Sequence, residues 1–60
     1  MFITLTRRST KVLIRINTLA ISAYFADGDF TTLFMVGGGG LEVVETPDQI
    51  DKLIRDGKHA

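Results

Sequence analysis

FTTLFMVGGGGLEVVETPDQIDKLI, residues 30–54, is the stretch that decides the fold. In 30–36, Phe30, Thr32, Phe34 and Val36 alternate with Thr31, Leu33 and Met35, the period-2 pattern of a strand whose two faces are both apolar. Gly37 to Gly40 follow as a wide turn, expected to be mobile because each glycine loses much backbone entropy on ordering. Leu41, Val43 and Glu45 then alternate with Glu42 and Val44 in a further strand over 41–45. Thr46 as N-cap, Pro47 at N1, Asp48 in the first turn and Gln49 at N3 form a capping box, so a helix over 47–56 starts here. Ile50, Leu53 and Ile54 fall at i, i+3 and i+4, a stripe able to dock on the sheet. A helix this short is marginal alone, so the stripe must pack. Gly57 suits the C′ position, Lys58 lies near the negative helix end, and His59 and Ala60 are expected to fray.

Upstream, Asp27-Gly28 is the strongest hairpin signal, because both residues tolerate the positive φ of a primed turn. It joins the 30–36 strand to a strand over 19–26, in which Leu19, Ile21, Ala23 and Phe25 alternate with Ala20, Ser22 and Tyr24. That strand is nearly uncharged, which places it near the centre of a sheet or against a partner. Asn17 and Thr18 read as a corner. Before it, Val12, Ile14 and Ile16 share one face of a strand over 11–16. Ser9 and Thr10 make the connection, tight or bulged, to an opening strand over 2–8 in which Ile3 and Leu5 alternate with Thr4 and Thr6. The fold class is mainly β (α+β): a single domain, 1–60, with an antiparallel meander of four to five strands, open or barrel-like, and one C-terminal helix.

Sixty residues bury only about 60% of the surface that the unfolded chain exposes, so a lone core is marginal. With no cysteine there are no disulfides or thiolate metal sites, and a composition 45% hydrophobic favours oligomerisation as the remaining support. No apolar run approaches the ~20 residues of a membrane span, and the early basic residues lie inside the apolar region where a signal peptide would tolerate none. No membrane insertion and a cytoplasmic location are the expectations.

Net charge is zero but divided: Arg7, Arg8, Lys11 and Arg15 give residues 1–25 a sum of +4, and seven acids against Lys52, Arg55 and Lys58 give 26–60 a sum of −4. Such asymmetry steers a basic face toward phosphate or toward the acidic half of another copy, although mutual neutralisation within the fold is the plainer reading. The one histidine, His59, lies near the terminus and has no cysteine to pair with, so neither a nucleophilic triad nor a metal set is available. Asp48 and Asp51 share a helix face, where carboxylates ordinarily complement the helix dipole. The glycines run into a strand, not a helix, which sets a phosphate-loop reading aside. No catalytic residue, cofactor or metal is expected, and the chain is read as a non-enzyme. Arg7, Arg8, Lys11 and Arg15 are the candidate nucleic-acid contacts, with a solvated edge that blocks wrong strand pairing as the plainer account.

Ile3-Thr4-Leu5-Thr6, a second strand running into Asn17, Thr31-Thr32-Leu33, the glycine turn, Val44-Glu45-Thr46 and a terminal helix with Ile50 and Ile54 resemble the small flagellar-operon FlbD (SwrD) family and similar short phage and prophage proteins. The resemblance spans about residues 2–56 and implies a non-catalytic accessory protein. Leu5-Thr6-Arg7-Arg8 is also similar to the opening of the carbon storage regulator CsrA, which implies an interleaved dimer with Arg7 and Arg8 on RNA. Glu45 stands where that family places an arginine and would repel phosphate, so RNA is disfavoured.

These readings converge on a small oligomeric binding or regulatory protein, of phage or prophage type, acting through a protein partner. The expected oligomer interface is the Phe30, Thr32, Phe34 and Val36 face, left over once the helix covers the other side. The alternatives are a CsrA-type RNA-binding translational regulator and a module that sequesters a small ligand.

Overall fold

The computed structural model describes residues 1–57; Lys58, His59 and Ala60, with the expectations placed on them, lie outside the described residues. The chain forms β1 (Phe2–Thr6), β2 (Leu13–Asn17), a 3-10 turn (Thr18–Ala20), β3 (Ile21–Asp27), β4 (Phe30–Met35), β5 (Gly40–Val43) and α1 (Pro47–Asp56). β1 and β2 pair as one antiparallel sheet, and β3-β4-β5 as another. The fold is therefore mainly β with one C-terminal helix, and its five strands form two sheets, not a closed barrel. The sheets meet at an Arg7–Val43 bridge, where the Arg8 N–H donates to the Glu42 carbonyl at 2.9 Å and the Val44 N–H to the Thr6 carbonyl at 3.0 Å.

Alternation explains β1 and β2. Ile3, Leu5 and Ile16 are buried and Ile14 half-buried, while Thr4, Leu13 and Arg15 face out. Both strands are shorter than 2–8 and 11–16. Arg7 to Val12 instead form a loop closed by the Arg7 N–H on the Val12 carbonyl (2.9 Å) and the Lys11 N–H on the Arg7 carbonyl (2.9 Å). Ser9 and Thr10 lie inside a turn of five residues, longer than a two-residue hairpin loop, and Lys11 at φ 61 completes the reversal. Val12, expected on the inner face, lies in that loop and is exposed.

The corner at Asn17 is a capped turn: the Asn17 Oδ1 accepts from the Leu19 N–H at 3.1 Å. Leu19 precedes the strand and is exposed. Within β3 the register shifts between Ile21 and Ala23, a bulge that splits the expected Leu19, Ile21, Ala23 and Phe25 face. Ile21 and Tyr24 pack toward the core, while Ala23 and Phe25 are exposed. β3 is an edge strand and β4 the central one, so of the two places expected for β3, the centre of a sheet or against a partner, the first is not found. The hairpin between them also differs by one position. Asp27 pairs with Phe30, so Gly28 and Asp29 are the two loop residues, with Gly28 at φ 69, as a turn with glycine in its first central position requires.

In β4, Thr31 and Leu33 are fully buried on the inner face. Gly37, Gly38 and Gly39 hold φ of 89°, 106° and 88°, and the turn closes through the Gly38 N–H on the Met35 carbonyl (3.1 Å). Gly40 already belongs to β5, which ends at Val43, two residues short of the expected 45. The capping box forms as read: Thr46 Oγ1 accepts from the Gln49 N–H (3.1 Å) and Gln49 Oε1 from the Thr46 N–H (2.9 Å). Gly57, at φ 42, ends α1 with its N–H on the Leu53 carbonyl. Ile3, Leu5, Ile16, Leu33, Val43 and Ile50 make the core between the sheets and the helix. Leu53 departs from the expected stripe: it is 38% exposed, whereas Ile50 is fully buried.

Candidate functional site

The face of the three-stranded sheet turned away from the core carries the most distinctive surface. Register sets Phe25 opposite Thr32, Ala23 opposite Phe34 and Phe34 opposite Gly40. Phe25 and Phe34 are thus diagonal neighbours, with ring centroids 5.8 Å apart and planes tilted by 32°. The Phe34 ring also lies over the bare Gly40 backbone, where a β-carbon would sit 3.8 Å from it. Despite these contacts Phe25 is 47% and Phe34 45% exposed.

Phe30, on the same face, is roofed. The Arg8 guanidinium lies 3.8 Å from the Phe30 ring centroid, and its Nη1 donates to Glu42 Oε1 at 3.0 Å. A cation–π contact at an exposed site is worth about 0.5–1 kcal/mol, and an exposed ion pair less than about 1 kcal/mol. The expected interface set therefore divides. Phe30 is half-buried under Arg8, Thr32 is half-buried beside Phe25, Phe34 is open, and Val36 lies outside the strand with its N–H on the Ala20 carbonyl at 2.7 Å. Phe25 was not in that set. Reading the turn as Gly28-Asp29 would have found it, since the Asp27–Phe30 pairing places Phe25 against Thr32.

The four basic residues do not share one role. Arg8 is engaged as described, and Arg15 stands 5.8 Å over the Phe2 ring on the other sheet. Arg7 and Lys11 are exposed in the loop. Glu45 is bound twice: Oε1 accepts from the Thr6 N–H at 2.9 Å and Oε2 from Thr6 Oγ1 at 2.8 Å, which clamps the end of β1 to the approach to α1. Beside it, buried Thr31 donates its hydroxyl to the Glu45 carbonyl at 2.6 Å.

On the inner side, helix α1 lies against β3 and the Tyr24 hydroxyl donates to the Asp51 carboxylate. That hydrogen bond, then burial, then the charge of Asp51 push the Tyr24 phenol up from 10.0 to about 12, since each favours the neutral form. Asp51 is thereby a partner for Tyr24, while Asp48 sits in the first helical turn. A groove of about 620 Å³, open to solvent, runs between β1 and α1, lined by Thr4, Val44, Glu45, Gln49, Lys52, Leu53 and Asp56. Its mixed charges and two aliphatic residues set no single ligand chemistry.

Among the described residues no cluster of three or more His, Cys, Asp or Glu is placed to hold a metal ion. Likewise, no helix among them is long and apolar enough to cross a membrane. No family model, curated protein or solved structure matches this chain.

Proposed function

We propose that this chain is a small non-enzymatic binding protein of regulatory type that self-associates in the cytoplasm and acts through a protein partner. The observation that carries the reading is the Phe25–Phe34 pair. Two phenyl rings in contact, each nearly half exposed, lie on a face with no charge at Ala23, Phe25, Thr32 or Phe34. Exposed aromatic anchors of this kind are what protein interfaces are built around. The resemblance to the small FlbD-like and phage-type proteins supports the same accessory role. RNA is the weaker reading because Arg8 is already held by Phe30 and Glu42, and Glu45 adds negative charge beside the end of β5.

Light scattering over a concentration series tests this directly. The wild-type chain is expected to show a mass above the 6.6 kDa of one copy, and Phe34→Glu to return it to 6.6 kDa with the far-UV circular dichroism unchanged. A 6.6 kDa species at every concentration would overturn the self-association. Failure of Phe34→Glu to alter an oligomer would remove the aromatic face from the interface.

A further inference from the structure

We propose that the free edge of β3 is where two copies join: Ala23–Asp27 of each pair antiparallel about a two-fold axis at Phe25, fusing two three-stranded sheets into one of six strands. This rests on the self-association proposed above and specifies its geometry: Phe25 meets the second copy directly, and Phe34 acts through the Phe25 ring it packs against.

β3 is the longest strand, seven residues, and it lies at an edge. Among the described residues no backbone group of Ser22–Asp27 forms a hydrogen bond outside the ladder with β4. Edges of folded proteins are ordinarily blunted by charge, proline, a bulge or shortness, and the bulge after Ile21 limits the open edge of β3 to Ala23–Asp27. β2, the edge of the other sheet, has five residues and carries Arg15, and the far side of β5 is met by Arg7 and Arg8. From Ile21 to Ala26, β3 has neither a charge nor a proline.

The register follows from the strand itself. The bulge after Ile21 ends the regular ladder on one side and the hairpin turn ends it on the other, so the regular unpaired segment is Ala23–Asp27, with Phe25 at its midpoint. In a two-residue hairpin the closing pair exchanges hydrogen bonds and the pattern alternates from there. Asp27, Phe25 and Ala23 therefore bond inward to Phe30, Thr32 and Phe34, and Tyr24 and Ala26 turn their N–H and carbonyl groups outward. Antiparallel pairing of Tyr24 with Ala26 of the second copy satisfies these groups. It also sets Phe25 opposite Phe25 in a close pair with Cα atoms about 4.5 Å apart. The two Phe25–Phe34 pairs then merge into one row of four rings. Asp27 falls opposite Ala23, so no like charges face one another.

A stable interface buries about 800 Å² per partner, about a fifth of the 3945 Å² surface of this chain. A five-residue edge and two half-exposed rings offer less, so the dimer is expected to dissociate on dilution.

The absence of cysteine makes disulfide trapping clean. Under mild oxidation at a concentration where wild type is oligomeric, Phe25→Cys is expected to cross-link at least about tenfold faster than Ser22→Cys or Phe34→Cys. In the paired dimer the Ser22 positions lie about 20 Å apart along the strands, and the Phe34 positions about 20 Å apart, about 14 Å across the strands and about 14 Å along them. Because Phe25→Cys also removes a ring, a second measurement accompanies it. Phe25→Lys and Phe25→Glu are each expected to be monomeric, and their equimolar mixture to regain the dimer mass. Cross-linking of Phe34→Cys as fast as Phe25→Cys, or no dimer on mixing, would overturn edge pairing while a wild-type oligomer left self-association standing. A wild type that is monomeric from about 1 µM to about 1 mM would remove both.

Discussion

Ile50→Ala and Leu53→Ala separate two residues that sequence periodicity treats alike. Ile50 is fully buried among Leu5, Leu33 and Val43, whereas Leu53 is 38% exposed along the rim of the groove. Truncating Ile50 removes three carbons, about 2.4 kcal/mol at about 0.8 kcal/mol each. The cavity left behind brings the cost into the range of about 2–5 kcal/mol. Leu53 loses only the buried part of its contacts, about 1–2 kcal/mol. A 60-residue chain has a total stability of roughly 3–9 kcal/mol, so Ile50→Ala should consume much of it and Leu53→Ala a minor share. Urea denaturation followed by circular dichroism, at one fixed protein concentration, reads both changes from the midpoint if the slope is unchanged. Equal losses at the two positions, or a loss under about 1 kcal/mol for Ile50→Ala, would refute the docking of α1 described here.

Alkaline titration offers a second test, because Tyr24 is the only tyrosine and there is no tryptophan. Its phenolate absorbance should rise near pH 12 in the folded chain and near pH 10 in denaturant. The raised value means the folded state holds its proton longer, so the Tyr24–Asp51 contribution to stability is full below about pH 10 and is lost toward about pH 12. Tyr24→Phe should flatten that dependence, and a folded-state midpoint at 10 would contradict the contact. Glu45→Ala strips the Thr6 N–H and hydroxyl of their acceptors, at an expected cost of about 1–3 kcal/mol, with faster hydrogen exchange at the Thr6 amide as the local signature. Gly38→Ala, at φ 106 with nothing within 4 Å, should cost at least about 1 kcal/mol through backbone strain alone; an unchanged melting midpoint would argue that the turn adopts another conformation.

What was legible in the sequence is what is local. The capping box of α1, the alternation of β1 and β4 and the two sides of β4 each depend on a few neighbouring residues, and all stand in the structure. The faces of β3 were misassigned because one bulged residue inverts a period-2 pattern, and nothing in Ile21-Ser22-Ala23 marks the bulge. A lysine reversing the chain at Lys11 was equally invisible, since left-handed backbone usually calls for glycine or asparagine. Arg8 over Phe30 and Glu45 on Thr6 are tertiary facts, joining residues more than twenty positions apart. Without them the open aromatic pair could not be told from the roofed part of the same face.

The Thr6–Glu45 clamp carries a kinetic consequence. Its partners are 39 positions apart, while the hairpin Ile21–Met35 is built from near neighbours. Loop-closure entropy defers such long connections, so the central hairpin should assemble early and the first strand dock late. Removing the clamp should accordingly quicken unfolding while leaving the refolding rate nearly unaltered. A chevron plot of Glu45→Ala with a slowed refolding limb would reverse that order of events.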